Sequence, residues 1–207
     1  MTRRPSALWL DAPRDPEGLV RRMLEAGAPP SLPVPVFFRA DDVAVPGAGL
    51  KALLDLFARH QQPLNLAVVP AWLTHPRWRT LQGWAAAGAG LWCWHQHGWR
   101  HANHEAPGVK PQEFGLGRPT AAGARDLAAG RRRLEAILGA AFTPVFTPPW
   151  NRCRGELLEA LIAQGYAAVS RGRGAQPPPP DGFPDLAVNV DLHTRKEPTP
   201  AAGWRGL

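Results

Sequence analysis

Four of the chain's seven histidines, His95, His97, His101 and His104, fall within ten residues. His97 and His101 are four apart, with Gly98 between them to permit a turn, so two imidazoles can converge on one cation. Read as a strand, Trp92–His97 puts Cys93, His95 and His97 on one face and Trp92 and Trp94 on the other. A second concentration of chemistry is Asp41-Asp42, at the end of the apolar run Val36–Ala40. Two acids there can simply cap a helix beginning near Pro46. The sharper reading separates them. Asp42, on the parity of Val36, Phe38 and Ala40, becomes a metal ligand, and Asp41 a general base beside it. Two neutral imidazoles and one carboxylate make an open site for a divalent cation such as zinc, whose bound water ionises near neutral pH. His95 and His104 fall to supporting positions.

These residues need a scaffold that brings distant segments together. Leu50, Leu53, Leu54 and Phe57 have the spacing of an amphipathic helix. Trp78, Leu81 and Trp84 mark a second, the apolar positions between Leu127 and Leu138 a third, and Leu157–Ile162 a fourth. Apolar runs at Val36–Asp42, Leu64–Val69, Trp92–His97, Thr143–Thr147 and Ala167–Ser170 read as strands between them. A sixth strand is expected at Leu186–His193, where apolar and polar residues alternate. A further helix, Pro16–Ala26, belongs to an N-terminal arm. Alternating strands and helices imply parallel pairing through right-handed crossovers, in a barrel or an open sheet. The candidate polar residues, Asp41-Asp42, His97, Trp150-Asn151-Arg152 and Asp191–His193, all sit at C-terminal strand ends, where such barrels assemble their sites.

Composition narrows the classes. With 207 residues, 44% of them hydrophobic and 20% charged, the chain can bury one sizeable core. The net charge of +7 invites a polyanion, but the arginines are scattered, which argues against nucleic acid. Cys93 and Cys153 are too few for a disulfide framework and read as free thiols. The apolar run Ala7–Leu10 stops at Asp11, short of a secretory core, and no run reaches a membrane span; a cytoplasmic protein is expected.

The motifs resemble those of the polysaccharide deacetylase superfamily, the NodB homology domain of carbohydrate esterase family 4. Arg39-Ala40-Asp41-Asp42-Val43 stands where most members have Thr-Phe-Asp-Asp-Gly. His97-Gly98-Trp99-Arg100-His101 matches the paired-histidine motif, and Thr147–Arg152 approximates an Arg- and Pro-containing loop. The resemblance implies a single domain over 1–207, with an arm at 1–33 and a distorted (β/α) barrel core at 34–193, incomplete at its C-terminus. It implies one divalent metal ion, zinc by its donor set, on Asp42, His97 and His101. Asp41 would be the catalytic base, Arg152 the arginine orienting it, and Trp150 and Asn151 part of the substrate wall. Arg39 and Val43 depart from the pattern and set the chain apart from typical chitin or peptidoglycan deacetylases. The family's late Leu-x-His general acid has no match in spacing: His193 stands in for it, or it is missing. The implied activity is hydrolysis of an acetyl group from an N-acetylated sugar, polysaccharide or small molecule by metal-bound water. The alternative is a non-catalytic relative that binds metal or carbohydrate.

Overall fold

Leu64–Val68 is buried at four of its five positions, the pattern of a strand flanked on both sides and covered on both faces. In a computed structural model, which describes residues 6–11, 13–27, 35–192 and 197–205, it is β2 of a five-stranded parallel sheet. The others are β1 (Arg39–Val43), β3 (Trp92–His97), β4 (Phe142–Thr147) and β5 (Ala168–Val169), in spatial order β1-β2-β3-β4-β5. Helices α2 (Ala48–Arg59), α3 (His75–Ala85), α4 (Thr120–Leu138) and α5 (Gly155–Ala163) follow the first four strands in turn. This is the α/β alternation expected, with the sheet left open between β1 and β5.

Two apolar clusters fill the space between sheet and helices. Leu66, Val68 and Trp94 pack with Leu54, Leu81 and Leu134, and Trp78 meets Trp94 edge-on at 5.0 Å between ring centroids. Phe146 and Val169 pack with Leu127, Leu157, Leu158 and Leu161. Local signals set the helix ends. The Thr74 hydroxyl accepts from the N–H of Arg77 to cap α3, and α4 stops at Gly139, whose φ of 55° favours glycine.

Among the described residues, the expected sixth strand does not form as a continuous strand. After β5 the pairing continues as isolated bridges, one of them parallel between Val169 and Asp185. Leu186, Val190 and Leu192 stay 42–45% exposed, so pairing here would bury no apolar face. His193 lies outside the described residues.

The sheet belongs to a unit spanning Phe37–Ala187; Met1–Val36 and Val188–Leu207 form another. In that second unit α1 (Pro16–Ala26) is capped by Asp15. The short α6 (Pro200–Arg205) approaches the N-terminal segment, with Trp204 Nε1 donating to the Asp11 carbonyl. Among the described residues, no helix is long and apolar enough to cross a membrane.

Candidate metal centre

The end of β3 places His95 and His97 on the face opposite Trp94, as its alternation requires. Both rings meet Thr147, the last residue of β4. His97 Nδ1 lies 2.9 Å from the Thr147 carbonyl oxygen, and His95 Nε2 lies 2.9 Å from its hydroxyl. A carbonyl can only accept, so His97 carries its proton on Nδ1 and turns the lone pair of Nε2 outward. That Nε2 is 3.4 Å from Asp42 Oδ1, and His101 Nε2 is 3.2 Å from the same oxygen. One ligand atom from each of Asp42, His97 and His101 falls within 4.8 Å of the others. His95 stays outside this group, fully buried, with Nδ1 directed at the Cys93 carbonyl. Burial lowers its pKa to about 4, so its ring is neutral at pH 7. His104 is further removed, in contact with Arg118.

Asp42 reaches the histidines by a different route from the one its parity suggests. Phe38 packs on Phe57 and Ala40 on the helix-side cluster, so a regular strand would aim Asp42 at the helices too. Instead the β1–β2 register shifts between Ala40 and Val43, and Val43, three positions on, rejoins the cluster. The extra residue is a bulge, with Asp42 at φ 60°, and it re-aims the carboxylate. Asp42 keeps 55% of its side chain exposed, so one side of the centre is open to solvent.

Asp41 is held by an arginine, though not the expected one. Arg39 Nε and Nη2 contact the two Asp41 carboxylate oxygens at 2.8 and 2.9 Å. Its remaining donors reach Asn151 Oδ1 and the carbonyl and hydroxyl of Ser170. Arg152 donates to the Pro111 carbonyl instead. A chain turning left-handed at Trp150 and Asn151 carries the Arg152 guanidinium away, whereas Arg39 lies two residues from Asp41 on the same strand face.

The loop carrying His101 is fastened by Glu113, a fully buried residue that sequence reasoning did not single out. Its Oε2 accepts from the N–H groups of Trp99 at 3.0 Å and His101 at 3.2 Å, and its Oε1 from Arg100 at 2.7 Å. Nothing in a Gly- and Pro-rich loop marks that acid beforehand. Trp150 lies 4.4 Å from the His101 ring and Trp72 lies 5.9 Å from it, both on tilted planes. Among the described residues, five non-glycine positions have positive φ, and Asp42, His101, Trp150 and Asn151 are four of them. Such conformations cost about 1 kcal/mol or more each and persist where surrounding contacts impose them.

The donor set suits a divalent cation: two imidazole nitrogens, one with its tautomer fixed by a backbone carbonyl, and one carboxylate oxygen. The two cysteines take no part in the cluster; both are free, and burial pushes the Cys153 thiol up to about 12.

No family model matches the chain, and no curated protein does. Solved structures resemble it, and three of them follow. IcaB from Ammonifex degensii aligns with a TM-score of 0.58 at 19% identity, over 76% of this chain and 70% of that one. A protein of Mycobacterium smegmatis described as a polysaccharide deacetylase aligns at 0.51 and 18% identity, over 68% of this chain and 46% of that one. The Streptococcus pyogenes deacetylase PplD, solved in complex with acetate, aligns at 0.50 and 13% identity, over 75% and 63%. The chain thus has the α/β fold of polysaccharide deacetylases, and it spans less than two thirds of the length of the latter two.

Proposed function

We propose that this chain is a metal-dependent deacetylase that hydrolyses the acetyl group of an N-acetylated sugar or polysaccharide. The observation that carries the reading is the convergence of Asp42, His97 and His101 beside a second carboxylate, Asp41, at the C-terminal ends of β1 and β3. Asp42 Oδ1, His97 Nε2 and His101 Nε2 would hold one divalent ion, and zinc suits that donor set. When bound, such an ion acidifies water and draws charge from a carbonyl oxygen.

The protein's own groups supply the rest. Asp41, fixed at both oxygens by Arg39, accepts the proton of the attacking water. Water oxygen adds to the acetyl carbon, the C–N bond breaks, and acetate and a protonated amine leave. Trp150, tilted against the His101 ring, forms one wall for the sugar, with Asn151 beside it.

The test combines metal analysis with an acetate-release screen over N-acetylated sugars. The parent should bind about one equivalent of zinc by the count of ligands. His97→Ala should lose it, and Asp41→Asn should keep the metal while losing acetate release. Undiminished metal in His97→Ala would sink the site assignment. Metal binding without any release would leave a binding protein rather than an enzyme.

A further inference from the structure

We propose that Arg39 is the positioning residue of this centre, and that its side chain also fastens the seam which the open sheet leaves between β1 and the end of β5. The first half rests on the reading of Asp41 as base; the second stands on geometry alone.

A guanidinium has five N–H donors, and five contacts surround this one. Nε meets Asp41 Oδ1 at 2.8 Å, Nη2 meets Asp41 Oδ2 at 2.9 Å and Asn151 Oδ1 at 2.7 Å, and Nη1 meets the Ser170 carbonyl at 3.0 Å and hydroxyl at 2.8 Å. The Arg39 side chain is only 6% exposed, while Asp41 keeps 35% of its own side chain open to solvent. No strand pairing joins β1 to β5, yet this one side chain ties β1 to the residue following β5 and to the turn after β4.

The anchors are themselves fixed. Ser170 N donates to the Phe146 carbonyl of β4, and its hydroxyl donates to Leu186. Asn151 N closes on the Pro148 carbonyl. The orientation of the Asp41 carboxylate is therefore referred to the far edge of the sheet, and so is the turn that presents Trp150. Lysine cannot reproduce this arrangement, because its compact ammonium offers three donors without the planar fork.

The test compares Arg39→Ala and Arg39→Lys with the parent in two arms. In the first, hydrolysis of p-nitrophenyl acetate is followed with zinc bound. Both variants should lose about 10²-fold in kcat, the scale for a misplaced catalytic group, with zinc content unchanged. Guanidinium ion added to Arg39→Ala should restore part of kcat, and added to Arg39→Lys should restore none. In the second arm, hydrogen exchange is measured on metal-free protein. Segments 149–152 and 168–171 should exchange faster in both Arg39 variants than in the parent or in Asp41→Asn.

Arg39→Lys matching the parent in kcat, or a kcat loss that guanidinium does not reverse, would overturn the positioning role. Unchanged exchange at both segments would overturn the seam role. A parent that hydrolyses nothing counts against the deacetylase reading, and the exchange arm then still decides the seam. Should Arg39→Ala fail to fold, Arg39→Lys carries the kcat and exchange comparisons.

Discussion

Replacing Glu113 by glutamine changes two atoms' chemistry with almost no change in shape, and the structure fixes what that costs. The amide oxygen can take the place of Oε2 and keep the N–H groups of Trp99 and His101. The amide nitrogen must then face the N–H of Arg100 across 2.7 Å, donor against donor. An orphaned buried donor costs about 1–3 kcal/mol, and losing the charge weakens the two surviving bonds as well. The total is about 3 kcal/mol, or about 6–12 °C in melting temperature for a chain of this size. The same loop carries His101, so zinc affinity should fall about 10–100-fold, the range for losing a group that orients a ligand. Thermal unfolding of the metal-free protein reads the first effect, and competition against a chromophoric chelator reads the second. A Glu113→Gln protein that melts with the parent and holds zinc equally well would refute the account of how the loop is held.

Gly98→Ala should destabilise by at least about 1–2 kcal/mol from backbone strain alone, because φ is +61° there and the new Cβ would lie 2.1 Å from Glu113 Oε2 and 2.5 Å from Pro149 Cγ. Denaturant unfolding checks it, and an unchanged midpoint would count against the packing of this turn. Gly130→Ala lies inside α4, where helix propensity alone favours alanine by about 1 kcal/mol. Its Cβ would meet Gln96 Nε2 at 2.3 Å, so melting temperature should fall, and a rise would contradict the packing. For His95, burial lowers the pKa from 6.5 to about 4, so between those values the unfolded chain binds the extra proton. The stability that neutral His95 contributes is complete above pH 6.5 and lost as pH falls towards 4, a total of about 3 kcal/mol. Denaturation midpoints from pH 7 to 4 should show a shallower fall for His95→Gln than for the parent; parallel curves would refute the assignment.

Most strands were legible because each is an apolar run closed by turn residues, and Trp92–His97 forms with the bounds that its alternation marks. Convergence at the strand ends followed from the parallel order. The failures share a physical cause. Strand parity places Asp42 correctly only if the strand is regular, and a bulge with a non-glycine residue at positive φ leaves no mark in composition. Arg39 was visible as a departure from a motif, but its reach to Ser170 spans 131 positions and depends on the sheet staying open. Arg152 was favoured by its place in a loop whose left-handed turn sends it elsewhere. At Leu186–Leu192 alternation was a true pattern without the buried face that makes such a pattern a strand.

Thr147 serves His95 through its hydroxyl and His97 through its main-chain carbonyl, and the two bonds have different fates as a sequence drifts. Substituting position 147 can erase the first and cannot erase the second, since every residue brings a carbonyl. The tautomer of His97 is therefore inherited from the alignment of β4 beside β3, where His97 pairs with Thr147. A one-residue insertion or deletion within β4 would turn that carbonyl away and disable the ligand, with both histidines still in place. In diverging copies of this chain, gaps in β4 are what selection should remove ahead of substitutions at position 147.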